Sequence, residues 1–219
     1  MKDAPMIYVK QSYNLDPAAP STRDRVVDIA NKYVLPANER LGARLVGAFF
    51  AHEEWYNQII HLTEFDDFAA YQTYREAAAS DGDANEGVAQ LTNLAPEQRI
   101  EILEPLGPVA PQRLHQAIAD SSEKAVGVYT FAILDVTPAK IEQFTALLGN
   151  AAAALPIVAA LRDVSGNPYR VTDLWARDTG TPGYVPNDDQ QESFFGPLRQ
   201  VAPREKMMRL HVMPYSPLR

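Results

Sequence analysis

Cysteine is absent from the 219 residues, which excludes a disulfide framework, a thiolate nucleophile and a cysteine metal site. Positive charge is scarce: 20 Lys and Arg stand against 28 Asp and Glu, a formal net charge of -8. No block of basic residues interrupts this balance, so the electrostatic footprint of a nucleic-acid binder is missing. An acidic surface also disfavours anionic membranes as partners. No apolar run is long enough to cross a bilayer, and Met1-Lys2-Asp3-Ala4-Pro5 lacks the apolar core of a signal peptide. A soluble cytoplasmic protein is the expectation. No glycine-rich phosphate loop follows a strand pattern, so a nucleotide cofactor is not expected, and no nucleophile-elbow pattern for a Ser-His-Asp triad occurs.

Hydrophobic residues are plentiful at 46%, enough for one substantial core or two modest ones. They also repeat. Asn57-Gln58-Ile59-Ile60-His61-Leu62-Thr63-Glu64 is echoed by Tyr169-Arg170-Val171-Thr172-Asp173-Leu174-Trp175-Ala176, with Asp173 standing 112 positions after His61. Glu101 to Leu106 is echoed in turn by Leu210 to Tyr215. A repeat of this length is domain-sized rather than solenoid-sized.

Each half carries the same succession of elements. Met6 to Tyr13 reads as a strand, and Ser21-Thr22-Arg23-Asp24 as a helix start. A helical face runs from Val26 to Leu41, with Pro36 expected to kink it and Gly42 to stop it. Arg44 to His52 and Asn57 to Phe65 read as a hairpin around Glu53-Glu54-Trp55-Tyr56. Neither of these two strands alternates polar with apolar, so both faces should be covered. A second helix begins at Asp66-Asp67, a short one precedes Pro96, and Arg99 to Leu106 closes the half. After Pro105, Pro108 and Pro111 the succession restarts: strand Val126 to Asp135, a helix opening at Thr137-Pro138, strands Val158 to Val164 and Tyr169 to Arg177, a loop at Thr179 to Tyr184, a weak helix and a last strand.

The order β-α-β-β-α-β in each half is the ferredoxin-like unit. The predicted fold class is α+β: two tandem ferredoxin-like repeats forming a fold of the dimeric α+β barrel type. The repeats divide as residues 1–108, a linker 109–124 and residues 125–219. Each unit covers one sheet face with helices, and its other face is expected to be apolar.

The first half resembles a known family. Leu45-Val46-Gly47, the Asn57 to Leu62 strand, Phe65-Asp66-Asp67-Phe68-Ala69-Ala70-Tyr71 and Arg75-Glu76-Ala77-Ala78 look like the NIPSNAP pattern. That pattern has a glycine in strand two, an Asn-Gln-apolar-apolar-His-Leu strand three and a helix ending Arg-x-Ala. The second half diverges, with Asp173 where the pattern has histidine. The resemblance implies the barrel fold and a ligand cavity, but no catalytic residues. The wider barrel group includes cofactor-free monooxygenases, cyclases, isomerases and haem enzymes, by analogy of fold alone.

Candidate chemistry centres on strand three. Asn57, Ile59, His61 and Thr63 share a face by the two-residue period. A neutral imidazole there suits proton abstraction from an enolisable substrate, and Asn57 suits orienting a carbonyl. Arg75 suits an oxyanion or a carboxylate. Against this stand a buried histidine satisfied by its neighbours, and an Arg75 paired with Glu64 or Asp66. In the second half Asp173 is a rival base beside an aromatic wall, with Tyr129, Tyr169, Trp175, Arg177 and His211 as candidate substrate contacts. The opposing reading pairs Asp173 with Arg170 or Arg177 and makes the aromatics ordinary core. His52 and Glu53 point to opposite strand faces and cannot easily share a metal. Haem enzymes of this group take an axial histidine from the second half, which offers only His211, so haem is disfavoured. The expectation is a homo-oligomer binding a small apolar or aromatic molecule without cofactor. The alternative is a non-catalytic scaffold meeting a partner through Trp55 and Tyr56.

Overall fold

A computed structural model of the protein describes residues 6–19, 22–107, 109, 111–177 and 186–219, Arg177 by its backbone only. The expected loop at 179–184 lies outside the described residues. The chain forms two compact units, residues 1–102 with 211–218, and residues 103–210 with 219. The sequence repeats divide at the proline-rich segment, whereas the compact units divide within two strands.

The first unit is built on β1 (Ile7–Asn14), β2 (Arg44–Ala51) and β3 (Gln58–Phe65). β3 lies between the other two and is antiparallel to both. Beyond β2, Phe49 and Phe50 pair with Val212 and His211. The opening residues of β4 (Glu97–Pro105) reach β1 through Lys10–Glu101 at 2.6 Å and Asn14–Glu97 at 3.1 Å. β2 and β3 are buried on both faces, as their unbroken apolar character predicts.

One face of this sheet is covered by helices. The first helical segment is α1 (Thr22–Ile29), a π turn (Ala30–Val34) and α2 (Leu35–Leu41). Pro36 has no N–H to offer the carbonyl four residues back, and the helix accommodates this with a π turn rather than a break. Gly42 ends it at φ 80°, a left-handed position where a side chain would be strained. α3 (Phe68–Ala78) and α4 (Gly82–Leu94) follow. Each is capped by an aspartate: Asp67 accepts from the Ala70 N–H at 2.7 Å, and Asp81 from the Ala84 N–H at 2.9 Å. α3 closes at Ala79, and Asp81 two residues later starts the next helix.

The opposite face departs from the apolar expectation. Tyr8, Lys10, Ser12, Asn14, Gln58 and Glu64 are all buried there beside Ile60 and Leu62. Four of them pair with one another: Tyr8 donates to Glu64 at 2.7 Å, and Gln58 donates to Asn14 at 2.7 Å.

The second unit repeats the arrangement with β5 (Val128–Asp135), β6 (Ile157–Asp163) and β7 (Arg170–Arg177), β7 lying between the others. Leu103 to Pro105 of β4 pair with β6. The helix expected at Pro138 starts later, as α6 (Ile141–Ala154), after a turn in which Ala139 takes φ 67°. α5 (Pro111–Glu123) fills the expected linker, and its Arg113 donates to the carbonyls of Ala152 and Leu155 at the end of α6. The short α7 (Asp188–Gln190), a π turn (Gln191–Phe195) and α8 (Gly196–Val201) complete the helices, and β8 (Arg204–Val212) is the last strand.

The repeat extends to an irregularity. The β2–β3 register slips between Leu45 and Gly47, and the β6–β7 register slips between Ile157 and Ala159. The extra residues, Val46 and Val158, stand at the same 112-residue spacing as His61 and Asp173. Both bulges therefore occupy one place in the motif.

Candidate functional site

The period of two along β1 and β3 sends Val9, Gln11, Tyr13, His61, Thr63 and Phe65 toward the helices. There they form one wall of a cavity of about 430 Å³, within the range of small-molecule sites. The π turn and α2 add Val34 and Asn38, α3 adds Tyr71, Tyr74 and Arg75, and α4 adds Val88 and Leu91. Tyr74 donates to Asn38 Oδ1 at 2.9 Å, which ties α3 to α2 across the cavity.

His61 is the most deeply placed titratable group in this wall, at 4% exposure. It sits at mid-strand, opposite Gln11 of β1 and Ala48 of β2. Its Nε2 lies 2.7 Å from the hydroxyl of Tyr215, and the edge of Tyr13 meets its ring at a centroid distance of 5.1 Å. Burial pushes the imidazole pKa down to about 4, so the ring is neutral at physiological pH. Burial likewise raises the phenols of Tyr13 and Tyr215. Tyr215 lines a second cavity of the same unit, about 560 Å³, together with Arg44, Glu64 and Asp66. The His61–Tyr215 pair thus joins the wall of one cavity to the wall of the other.

Arg75 lies on the exposed rim of the His61 cavity, its guanidinium 5.8 Å from the centre of the Tyr71 ring. It pairs with neither Glu64 nor Asp66, because Arg44 takes both, at 2.5 and 3.6 Å. Asn57 precedes β3 rather than lying in it, and its carbonyl accepts from the Leu15 N–H at 2.8 Å. It does not line the cavity, because the two-residue period begins only at Gln58. The structure therefore brings His61 and Arg75 to one cavity and leaves Asn57 out. Tyr13, Asn38 and Tyr74 line the cavity and Tyr215 contacts His61 from behind it, and none of the four is among the residues singled out from the sequence.

In the second unit the described residues pack the corresponding face with side chains. Phe144 and Leu148 of α6, Leu198 of α8, Trp175 and Phe195 form a buried cluster. Trp175 stacks on Phe195 with centroids 6.1 Å apart. Asp173 is mid-strand on the same face, opposite Ala132 and Ala160. Its Oδ1 is buried and has no hydrogen-bond partner among the described residues. Desolvation, with a smaller push from Glu205, raises its pKa to about 8. Arg170 is not its partner, because Arg170 pairs with Asp135 at 3.0 Å. The side chain of Arg177 lies outside the described residues. Tyr129 is buried and donates to the Arg219 carbonyl at 3.3 Å. Tyr169 falls in the turn before β7 and is 36% exposed. The aromatic contacts predicted for this half divide between core and surface.

His211 is exposed on β8, opposite Phe50, and lines neither cavity of the first unit. Among the described residues no three His, Asp or Glu gather as a metal site, and no helix is long and apolar enough to cross a membrane.

Comparison with known proteins places this geometry. The NIPSNAP family model matches residues 9–108, which bears out the resemblance read from the first half. Among functionally curated proteins none matches. A candidate monooxygenase from Lactobacillus acidophilus is similar in structure, with 14% identity, a TM-score of 0.61 and coverage of 94% of this chain and 93% of that one. A chlorite dismutase variant from Candidatus Nitrospira defluvii aligns at 10% identity and TM-score 0.50, over 95% of this chain and 91% of that one. A NIPSNAP family protein from Agrobacterium tumefaciens matches 48% of this chain and 90% of its own, at 18% identity and TM-score 0.42. The two full-length likenesses establish the α+β fold of tandem ferredoxin-like repeats, of the dimeric α+β barrel type; at such identities they speak to fold alone.

Proposed function

We propose that the first unit binds a small, largely apolar or aromatic molecule between its sheet and helices, and that His61 accepts a proton from it in cofactor-free chemistry. The observation that carries this reading is the cavity of about 430 Å³, with one neutral, buried histidine in a mostly apolar and aromatic wall. With its ring proton on Nε2, donated to Tyr215, the imidazole keeps the Nδ1 lone pair for a substrate. Transfer of an acidic C–H proton to Nδ1 leaves the electron pair on the adjacent carbonyl as an enolate. Return of the proton to another carbon isomerises the molecule, and attack on an internal carbonyl cyclises it. Oxidation takes dioxygen as the second reactant. A base with a pKa near 4 is weak, which restricts it to substrates whose enolate is well stabilised. Tyr215 gives the proton a route onward to the second cavity.

The test is to identify by native mass spectrometry the molecule that copurifies, then to follow its C–H exchange in D2O. His61→Gln is expected to slow exchange by about a hundredfold or more. Unchanged exchange in that variant removes His61 from the mechanism.

A second reading, a non-catalytic scaffold meeting a partner at the β2–β3 hairpin, rests on Tyr56, which is 66% exposed. Trp55 weakens it, because its indole donates to the Leu15 carbonyl of its own chain at 3.0 Å.

A further inference from the structure

We propose that the ligand of the first unit's cavity is a monoanion, with an apolar or aromatic body inside the cavity and one carboxylate or sulfonate group held by Arg75 at the mouth. This rests on the reading of the cavity as a ligand site and adds the charge and orientation of its occupant.

Three observations carry it. The first is the sign of the wall. The chain has 28 Asp and Glu, yet among the described residues none lines this cavity, and Arg75 is the one charged residue that does. The deeper polar groups, Gln11, Thr63, Asn38 and His61, are neutral. A ligand cation would find no counter-charge, and a dianion would leave one charge uncompensated.

The second is the state of Arg75. Its guanidinium forms no ion pair among the described residues; Glu64 and Asp66 pair with Arg44. It is instead positioned over the Tyr71 ring, a contact that steadies the fork and leaves its N–H groups for an incoming anion. The third is the mouth. Val88 of α4 and Ile100 of β4 both line the cavity and are 61% and 51% exposed. Two large aliphatic side chains in water beside a cation are the surface complement of an amphiphile.

A matched probe pair tests this in the full chain: 8-anilinonaphthalene-1-sulfonate and the uncharged N-phenyl-1-naphthylamine, which share an aromatic body and differ by the sulfonate. Fluorescence titration is expected to show the sulfonate bound about tenfold more tightly. Arg75→Gln should bring the two affinities together, Arg75→Lys should keep part of the preference, and Ala78→Phe, which fills the cavity from α3, should lose both probes. Equal affinities in the wild type, or a sulfonate affinity unmoved by Arg75→Gln, overturn the monoanion proposal. Retention of both probes by a folded Ala78→Phe protein overturns the cavity reading itself.

Discussion

The imidazole of His61 lies 2.7 Å from the hydroxyl of Tyr215, a contact between residues 154 positions apart. It is the one hydrogen bond of the His61 ring among the described residues, and it keeps a buried polar group satisfied without charging it. Everything proposed for the site depends on that neutrality.

The depressed pKa of His61 makes stability fall on acidification. Unfolded, the ring takes up a proton below its ordinary value of 6.5; folded, it does so only near pH 4. The contribution is therefore complete above pH 6.5 and declines as pH falls from 6.5 toward 4. Relative to His61→Gln, the wild type should lose roughly 3 kcal/mol across that window. Urea denaturation of both proteins at pH 7.5, 5.5 and 4.5 measures the difference, and parallel profiles would contradict it.

Asp173 acts with the opposite sign. Its carboxyl holds a proton in the folded state up to about pH 8 and releases it near 3.8 when unfolded. Stability from this group is complete below 3.8 and is lost as pH rises toward 8. Asp173→Asn should raise the melting temperature by a few degrees at pH 5, where part of this stability is already lost, and by clearly more at pH 9. Calorimetry at the two pH values decides the point, and an equal effect at both would show that the carboxyl is not held protonated.

Gly47 is predicted to resist substitution. A Cβ there would sit 2.7 Å from the ring of Phe49 and 3.6 Å from Leu218, both fully buried. Gly47→Ala should cost about 1–3 kcal/mol through displacement of that ring. Chemical denaturation measures the loss, and a wild-type midpoint would mean that Phe49 moves freely.

Asn57 and Ala78 make a contrast. Asn57 lies outside the cavity and Ala78 lines it. Asn57→Ala should leave N-phenyl-1-naphthylamine affinity within about twofold of wild type. A loss as large as that of Ala78→Phe would place Asn57 in the site after all.

The sequence revealed the architecture because the architecture is periodic. The spacing that relates His61 to Asp173 also relates Ala48 to Ala160, the residues opposite them, and Val46 to Val158 at the bulges. His61 was legible as a site residue because its strand period holds from Gln58 onward. Asn57 was misplaced because that period was carried one residue too far. Tyr215 left no local signal: it lies in another part of the chain, and only pairing across the sheet brings it to His61. The polar face of β1 was visible as Tyr8, Lys10, Ser12 and Asn14, yet its burial was not, since each group needs a partner from a distant strand. In the second half nothing in the residue types distinguished a lined cavity from a filled one; that difference arises from Phe144, Phe195 and Leu198 meeting Trp175.

The first unit takes its last residues, 211–218, from beyond the second. The Ser216 hydroxyl accepts the Ala48 N–H at 2.9 Å, the Met213 N–H donates to the Ala48 carbonyl at 2.9 Å, and Tyr215 reaches His61. On a translating ribosome, at about 5–20 residues per second, Tyr215 emerges roughly 8–30 s after His61. Throughout that interval the histidine and the middle of β2 are without these contacts, and the nascent chain has a half-built sheet whose finishing piece does not yet exist. A domain that looks N-terminal in sequence is, in the order of its making, among the last parts to be completed.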